Sequence, residues 1–381
     1  MSAALSLSRR GCQVTVLEAF EQPRPIGSGL LLQPSGLAAL RAIDLLDGAM
    51  ALGARVDRLE GVDVNGHQPM KMAYATWRSG AFGVGIHRAA LFGLLHDRLV
   101  ADGIEIRTGV PIEGFDRLHR PTLRDAHGGA HGPFDLVVVA DGAASRLRAK
   151  LRPRAHCPIY PWGAVWANAT DASDAFGGAL RQRYDGAAVM IGVLPIGRTA
   201  EDSTRRVSFF WSLPVSELQR FDAVDLGLWK RRVTGLWPDV HPIVDQIART
   251  QDLSRAVYRD VSVGRWHAGD FILIGDAAHG TSPQLGQGAN FGLIDGVELA
   301  RTVDRPSRIA GFQFQRRLHT SPYQVFSRLL TPLFQSGGRV GPWVRRWLFA
   351  PLAQAPGLNR VAATVLTGGF RLGPTPRELR P

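Results

Sequence analysis

Apolar positions along the chain recur with two periods. Leu136 to Val139 and Phe271 to Ile274 are short unbroken apolar runs, the composition of strands buried on both faces. Alternating runs predict four further strands at Tyr160 to Thr170, Leu180 to Tyr184, Ala188 to Pro195 and Arg206 to Leu213, with turns at Asp185-Gly186 and Gly197. Leu59 to Trp77 alternates in short pieces around Asn65-Gly66, a hairpin signal, and Ile104 to Gly132 reads as a meander. Helical spacing appears at Ser2 to Arg10, Gly85 to Leu99 (Leu91, Leu94, Leu95 and Leu99 on one face), Asp222 to Arg249, Phe291 to Thr302, and in mixed form over Ser321 to Phe349. Gly11 can end the first helix, after which Gln13 to Leu17 forms a short strand closing on Glu18. Proline and glycine make Pro23 to Pro34 a connection and the tail beyond Pro356 loop-like.

A chain of 381 residues suggests two or three domains and can bury a large core. Its formal charge of +12 invites a nucleic-acid partner, but lysine occurs only at Lys71, Lys150 and Lys230, and the arginines are scattered along the chain without a basic face or a compact recognition motif. No nucleic-acid partner is expected. Cys12 and Cys157 are too few for a disulfide scaffold, and no metal site is expected. No apolar run approaches bilayer length, and the first residues have basic positions after a short apolar stretch, the reverse of a secretory signal, so a cytoplasmic protein is expected.

The chemistry concentrates at strand tips. Gly275-Asp276 follows the apolar run at Phe271, and Asp141-Gly142 follows the one at Leu136. A carboxylate at the carboxyl end of a buried strand stands where α/β sheets bind ligands and can accept hydrogen bonds from hydroxyls. After Asp276 come Pro283 and Gly286-Gln287-Gly288-Ala289-Asn290, a glycine-rich turn into a helix whose unpaired amides and positive dipole end suit a hydroxylated, partly anionic guest. Ile26-Gly27-Ser28-Gly29 reads as a plain turn or as a place where Gly29 lets backbone approach a guest closely.

GDAAHGTSPQLGQGAN, from Gly275 to Asn290, resembles the second FAD-binding signature of the flavin-dependent aromatic hydroxylases, the group A monooxygenases of the p-hydroxybenzoate hydroxylase-like superfamily. The segment from Asp135 to Arg148, with Asp141, Gly142, Ser145 and Arg148, resembles that family's strand-DG-x-x-S-x-x-R motif, and Arg88 in HRAALFGLL resembles its flavin-contacting arginine. The three motifs stand in the family's order and span residues 1 to 305. The resemblance implies an α/β fold. A Rossmann-like FAD-binding domain of the glutathione-reductase type would comprise 1–155 plus 256–305, with a β excursion near 59–80. An inserted antiparallel substrate domain would occupy 156–255, and a helical C-terminal region 306–381.

It also implies a site. Glu18, at the end of a second βαβ strand, would bind the adenosine ribose, and Arg88, Asp141, Gly142, Gly275, Asp276, Pro283, Gly286, Gly288, Ala289 and Asn290 would hold the rest of FAD. The family's first strand and G-x-G-x-x-G loop would fall before Met1, so the expectation is either a start codon placed too late or a truncated chain. The implied reaction uses NAD(P)H as reductant and O2 as co-substrate, and transfers oxygen from a flavin C4a-hydroperoxide to an aromatic or polyketide-like small molecule. Trp166, Met190, Phe210 and Trp211 are candidates for an apolar substrate pocket, and no catalytic base can be named, since His279 is not singled out by position alone. A reductase of the same fold without oxygen insertion and a truncated flavoprotein without turnover are the alternatives. Trp343, Arg345, Arg346 and Trp347 belong to a C-terminal stretch that would cap the pocket, seal a homodimer, or lie peripherally on an anionic membrane; the protein is otherwise expected to be monomeric.

Overall fold

Strand pairing among the described residues gives one large mixed sheet and several small ones, some built on short parallel ladders and others antiparallel. A computed structural model describes residues 1–22, 27–151, 154–198, 204–303, 309–338, 340–349, 351, 355 and 357–380. Parts of three expected segments, Pro23 to Ile26, 350 and 352–354, and Pro356, lie outside the described residues.

In chain order come helix α1 (Ser2–Ser8), strands β1 (Thr15–Leu17) and β2 (Gly29–Leu32), helix α2 (Pro34–Ala42), strands β3 (Ala54–Asp63), β4 (Met70–Ala73) and β5 (Gly83–His87), helix α3 (Arg88–Ala101) and strand β6 (Glu105–Arg107). Strand β7 (Val137–Val139) and helix α4 (Arg146–Leu151) precede strands β8 (Ile159–Thr170), β9 (Gly178–Asp185), β10 (Val189–Gly197) and β11 (Arg206–Pro214). Helix α5 (Leu226–Leu236), strands β12 (Ser254–Arg259) and β13 (Phe271–Leu273), and helices α6 (Gly288–Ala300), α7 (Ile309–Phe334) and α8 (Leu358–Leu366) complete the described frame.

Strand β1 pairs in parallel with β6, and β7 in parallel with β13, the latter two being the buried apolar runs that suit a parallel pair. Helix α6 lies against α1, and α3 buries Leu91, Leu95 and Leu99 as its spacing predicts. The His87 ring caps α3 by accepting from the Ala89 amide at 3.1 Å.

The large sheet runs β12-β8-β11-β10-β9-β3-β5-β2, with β4 beside β3. Four of its strands are those expected between 156 and 255, but the sheet does not stop there: β9 pairs in parallel with β3, from Gly178 opposite Val56 to Tyr184 opposite Asp63. Pairing across the expected domain boundary covers what would otherwise be an exposed strand edge.

The two faces of this sheet differ, because successive side chains point opposite ways. Val165, Ile191, Val193, Phe209 and Trp211 pack outward against α5 and the turns around it, where Trp229 meets Phe209 and Trp211 edge to face at centroid separations of 6.1 and 6.0 Å. Trp166, Met190 and Phe210 face inward, toward α7. That helix begins at Ile309, earlier than its apolar spacing suggests, and continues through Pro322 and Pro332. Each proline removes an amide donor from the helix ladder. Burial of Phe312, Arg316, His319, Tyr323 and Ser327 along one side holds the helix together.

Candidate active site

Just beyond β13, Gly275 takes a left-handed φ of +56° and turns the chain so that Asp276 follows at the strand tip. Gly286, also left-handed at φ +61°, turns the chain again into the amino end of α6. The first of these turns rests on a buried carboxylate. Asp295 accepts from the Gly275 amide at 2.6 Å, lies 2.6 Å from His279 Nε2, and accepts from Arg316 Nε at 2.6 Å. Burial pushes this carboxyl up, but the His279 and Arg316 charges outweigh burial and hold it well below the ordinary carboxylate range. Arg316 also reaches Glu298 at 3.4 Å, and Arg371 reaches Glu298 at 2.6 Å, so the tail is tied into the same network. Sequence reasoning missed Asp295 and Arg316. The available signal was a pair of carboxylates, Asp295 and Glu298, inside a helix whose other buried residues after Asn290 are apolar.

Asp276 is open to a cavity on one side and enclosed by protein on the others. That enclosure pushes its carboxyl up, while the charges of His279 and Arg88 pull it down. A Cβ at Gly288 would stand 3.8 Å from Asp276 Oδ1, so the helix start and the carboxylate face one small space. Arg88 borders the same space across Gly27, where an added Cβ would come within 3.0 Å of Arg88 Nε. A hydroxyl acceptor, a guanidinium and helix-terminal amides are a donor set that fits the ribityl and ring end of a flavin.

The other expected cofactor residues divide. Arg88, Asp276, Pro283, Gly286, Gly288 and Ala289 line the cavity. Asn290 is fully buried and engaged with protein: its Oδ1 accepts from the Gln33 amide at 2.8 Å, and its Nδ2 donates to Leu31 and Gly286 carbonyls. It clamps β2 and α2 to the glycine-rich turn. Gly29 lines the cavity, and a Cβ there would strike Ile196 and Ser208 of the sheet. Its bareness permits strand packing. Asp141 is exposed, with its carboxylate 3.4 Å from the Leu147 amide at the start of α4, and Gly142 takes φ +81°. The buried Arg148 donates to the Ala277 and Ala143 carbonyls at 2.9 and 2.7 Å and so joins the two strand-tip motifs. Glu18, half-buried after β1, accepts from the Phe20 amide at 3.0 Å.

The cavity measures about 870 Å³, near the upper end of ligand pockets. Its sheet wall carries Trp166, Met190 and Phe210, with the Trp166 and Phe210 rings 4.8 Å apart. Phe210 lies over Gly192, where a Cβ would collide with its ring. Trp211 does not join them. It neighbours Phe210 on one strand, so alternation sends it to the outer face, against Trp229. Sequence reasoning did not find Tyr258, whose hydroxyl accepts from Trp166 Nε1 at 3.2 Å and is pushed up to about 12 by burial. Opposite, Gln284 donates to Gln335 at 2.6 Å and contacts Tyr160, whose hydroxyl also reaches Gln335 at 2.9 Å, bracing the Pro283 turn against α7.

Among known proteins, the family model described as FAD binding domain matches residues 1–308. The chain is 24% identical to aurachin C monooxygenase/isomerase of Stigmatella aurantiaca over 91% of this chain and 90% of that protein. It is 28% identical to 2-heptyl-3-hydroxy-4(1H)-quinolone synthase of Pseudomonas aeruginosa over 91% of this chain and 88% of that protein. In fold it is similar to Klebsiella pneumoniae HpxO complexed with FAD and uric acid, with a TM-score of 0.78 and 20% identity, covering 96% of this chain and 94% of that one.

Proposed function

The chain belongs to the FAD binding domain family and is an FAD-dependent monooxygenase, and from that premise we propose that it uses NAD(P)H and O2 to hydroxylate an aromatic or polyketide-like small molecule. The observation that carries this reading is the shared cavity, with Asp276 and the start of α6 on one side and the Trp166, Met190 and Phe210 wall on the other. Bound FAD would supply the redox and oxygen chemistry that side chains lack. Asp276 would accept from the ribityl hydroxyls, and Arg88 would stand beside the ribityl or phosphate groups. The amides from Gly286 to Ala289, at the positive end of α6, would favour negative charge on the reduced ring. Pro283, braced through Gln284, would keep water from the ring face. Glu18 would take the adenosine ribose, and Asp141 with Gly142 would lie beside the cofactor at the neighbouring strand tip.

Relatives similar in sequence act on heteroaromatic rings by name, including phenazine 1,6-dicarboxylic acid hydroxylase PhzS of Lysobacter antibioticus, which supports a ring substrate here. No helix among the described residues is long and apolar enough to cross a membrane. We place the protein in the cytoplasm. Trp343 and Trp347, 63% and 59% exposed beside Arg346, support a contact surface for a second copy or an anionic membrane. Purified protein loaded with FAD tests the main reading: NAD(P)H consumption with ring substrate should require O2 and place one 18O atom from labelled O2 in the product. Equal consumption without O2 would instead identify a reductase.

A further inference from the structure

Positive charge and exposed apolar surface gather in the same part of the chain. Arginines recur throughout, but residues 305–381 hold twelve of them against a single acidic residue, Glu378, so eleven of the twelve net positive charges arise in the last fifth. Nine of the seventeen exposed large apolar residues among the described residues fall in that stretch too. Together they have the composition of a contact face and not of an ordinary solvated tail.

Packing holds this exposure in place. The short helix Val340–Val344 docks on the end of α7 at Gly341, where a Cβ would strike the Pro332 carbonyl. Four residues on, the buried Arg345 donates to the Leu333 and Gly186 carbonyls at 3.2 and 2.8 Å and lies over the Tyr184 and Phe334 rings. With Gly341 and Arg345 turned inward, Trp343 and Trp347 are turned out to solvent, and the exposed Arg346 stacks on the Trp347 ring at 4.9 Å. Along α7, Val325 and Leu329 are exposed one turn apart, and Leu329 also lines the cavity, which reaches the surface there. Across the cavity, α8 lines it through Asn359 and Ala362 and exposes Leu358, Arg360 and Val361.

A second copy of this chain is a poor match for such a face. A two-fold interface sets a patch against its own likeness, and here that would bring unmatched arginines together. An anionic bilayer meets both halves of the surface: lipid phosphates face the arginines, and the tryptophans sit at headgroup depth, where indole rings are favoured. Resting on the reading of Trp343 and Trp347 as a contact surface, we propose that its partner is an anionic phospholipid bilayer. The bilayer is bound peripherally through Trp343, Trp347, Arg346, Arg360 and Leu329, so that the cavity opening at Leu329 faces the lipid.

Co-sedimentation of the FAD-loaded full chain with vesicles tests this, using phosphatidylcholine alone and phosphatidylcholine with phosphatidylglycerol at about three to one. Affinity should be about tenfold or more higher for the anionic vesicles and should fall as salt is raised. Arg346→Gln with Arg360→Gln should reduce it by about fivefold per arginine. Trp343→Ser with Trp347→Ser should reduce it about tenfold, and Leu329→Ser about threefold. Unchanged bound-flavin absorbance in the arginine and tryptophan variants would show that the fold holds. Equal binding to neutral vesicles, binding to neither, or anionic binding that survives any of these substitutions would overturn the proposal. Concentration-dependent dimers that the tryptophan changes abolish, without vesicle binding, would overturn it in favour of a second copy and leave the contact-surface reading standing. A monomer that binds no vesicle would remove both.

Discussion

The outer and inner faces of the large sheet are built from the same strands yet serve opposite ends. On the outer face, Phe209, Trp211 and Trp229 close a dry aromatic core in which every ring has a partner. On the inner face, Trp166, Phe210 and Met190 touch one another but also border about 870 Å³ of space. The outer residues stabilise the fold through dense packing; the inner ones leave contacts unmade so that a guest can make them. A one-residue change of position along β11 is therefore a change of purpose.

Trp211→Ala should give the largest loss, about 3–5 kcal/mol in denaturant unfolding, because it opens a hole that its neighbours cannot fill. Arg316→Met comes next. It leaves the Asp295 carboxylate buried without its guanidinium, at about 3 kcal/mol. The sign of its pH dependence follows from the direction of the shift. Asp295 is held below the ordinary carboxylate range, so its stabilising contribution is present above that range and is lost only as pH falls through the lower folded value. Stability curves of wild type and variant should therefore converge on acidification below about pH 4.

Asp276→Asn should weaken flavin binding by about 1.5–3 kcal/mol, through loss of a charged acceptor. The apoprotein should move the other way. Enclosure raises the Asp276 carboxyl, so its ionised form costs stability as pH rises above the ordinary carboxylate value, and the amide should stabilise the apoprotein slightly at neutral pH. Flavin titration paired with thermal unfolding reads both. Phe210→Ala should cost only about 1 kcal/mol of stability, since its site opens onto the cavity, while ring-substrate affinity falls several-fold. A loss equal to that of Trp211→Ala would erase the distinction between the faces. Trp343→Ala, at an exposed site, should change stability by less than about 0.5 kcal/mol, and sedimentation with and without anionic vesicles would show whether that surface has a partner.

Much of this was legible in the chain. The four strands from Tyr160 to Leu213 announce themselves by alternation, and the motif at Gly275 to Asn290 identifies the turn and helix that meet the cavity. Alternation also separates Phe210 from Trp211, though hydrophobicity alone groups them. What could not be read was pairing at a distance. Arg148 meets Ala277, Asn290 meets Gln33, and Arg316 meets Asp295 only after folding, and no local pattern encodes such partners. The start of α7 was obscured by its prolines and by buried polar residues, which pair through tertiary contacts.

The parallel ladder between β3 and β9 also sets an order in time. Val56 and Gly178 lie roughly 120 positions apart in the chain, and closing so long a loop forfeits entropy before the ladder returns any of it. During synthesis, the strands through β5 must wait for β9 to be made before the large sheet can join. Such long-range pairing slows folding and leaves strand edges bare meanwhile. The ribosome-bound first third of this protein is then the stage most in need of a chaperone.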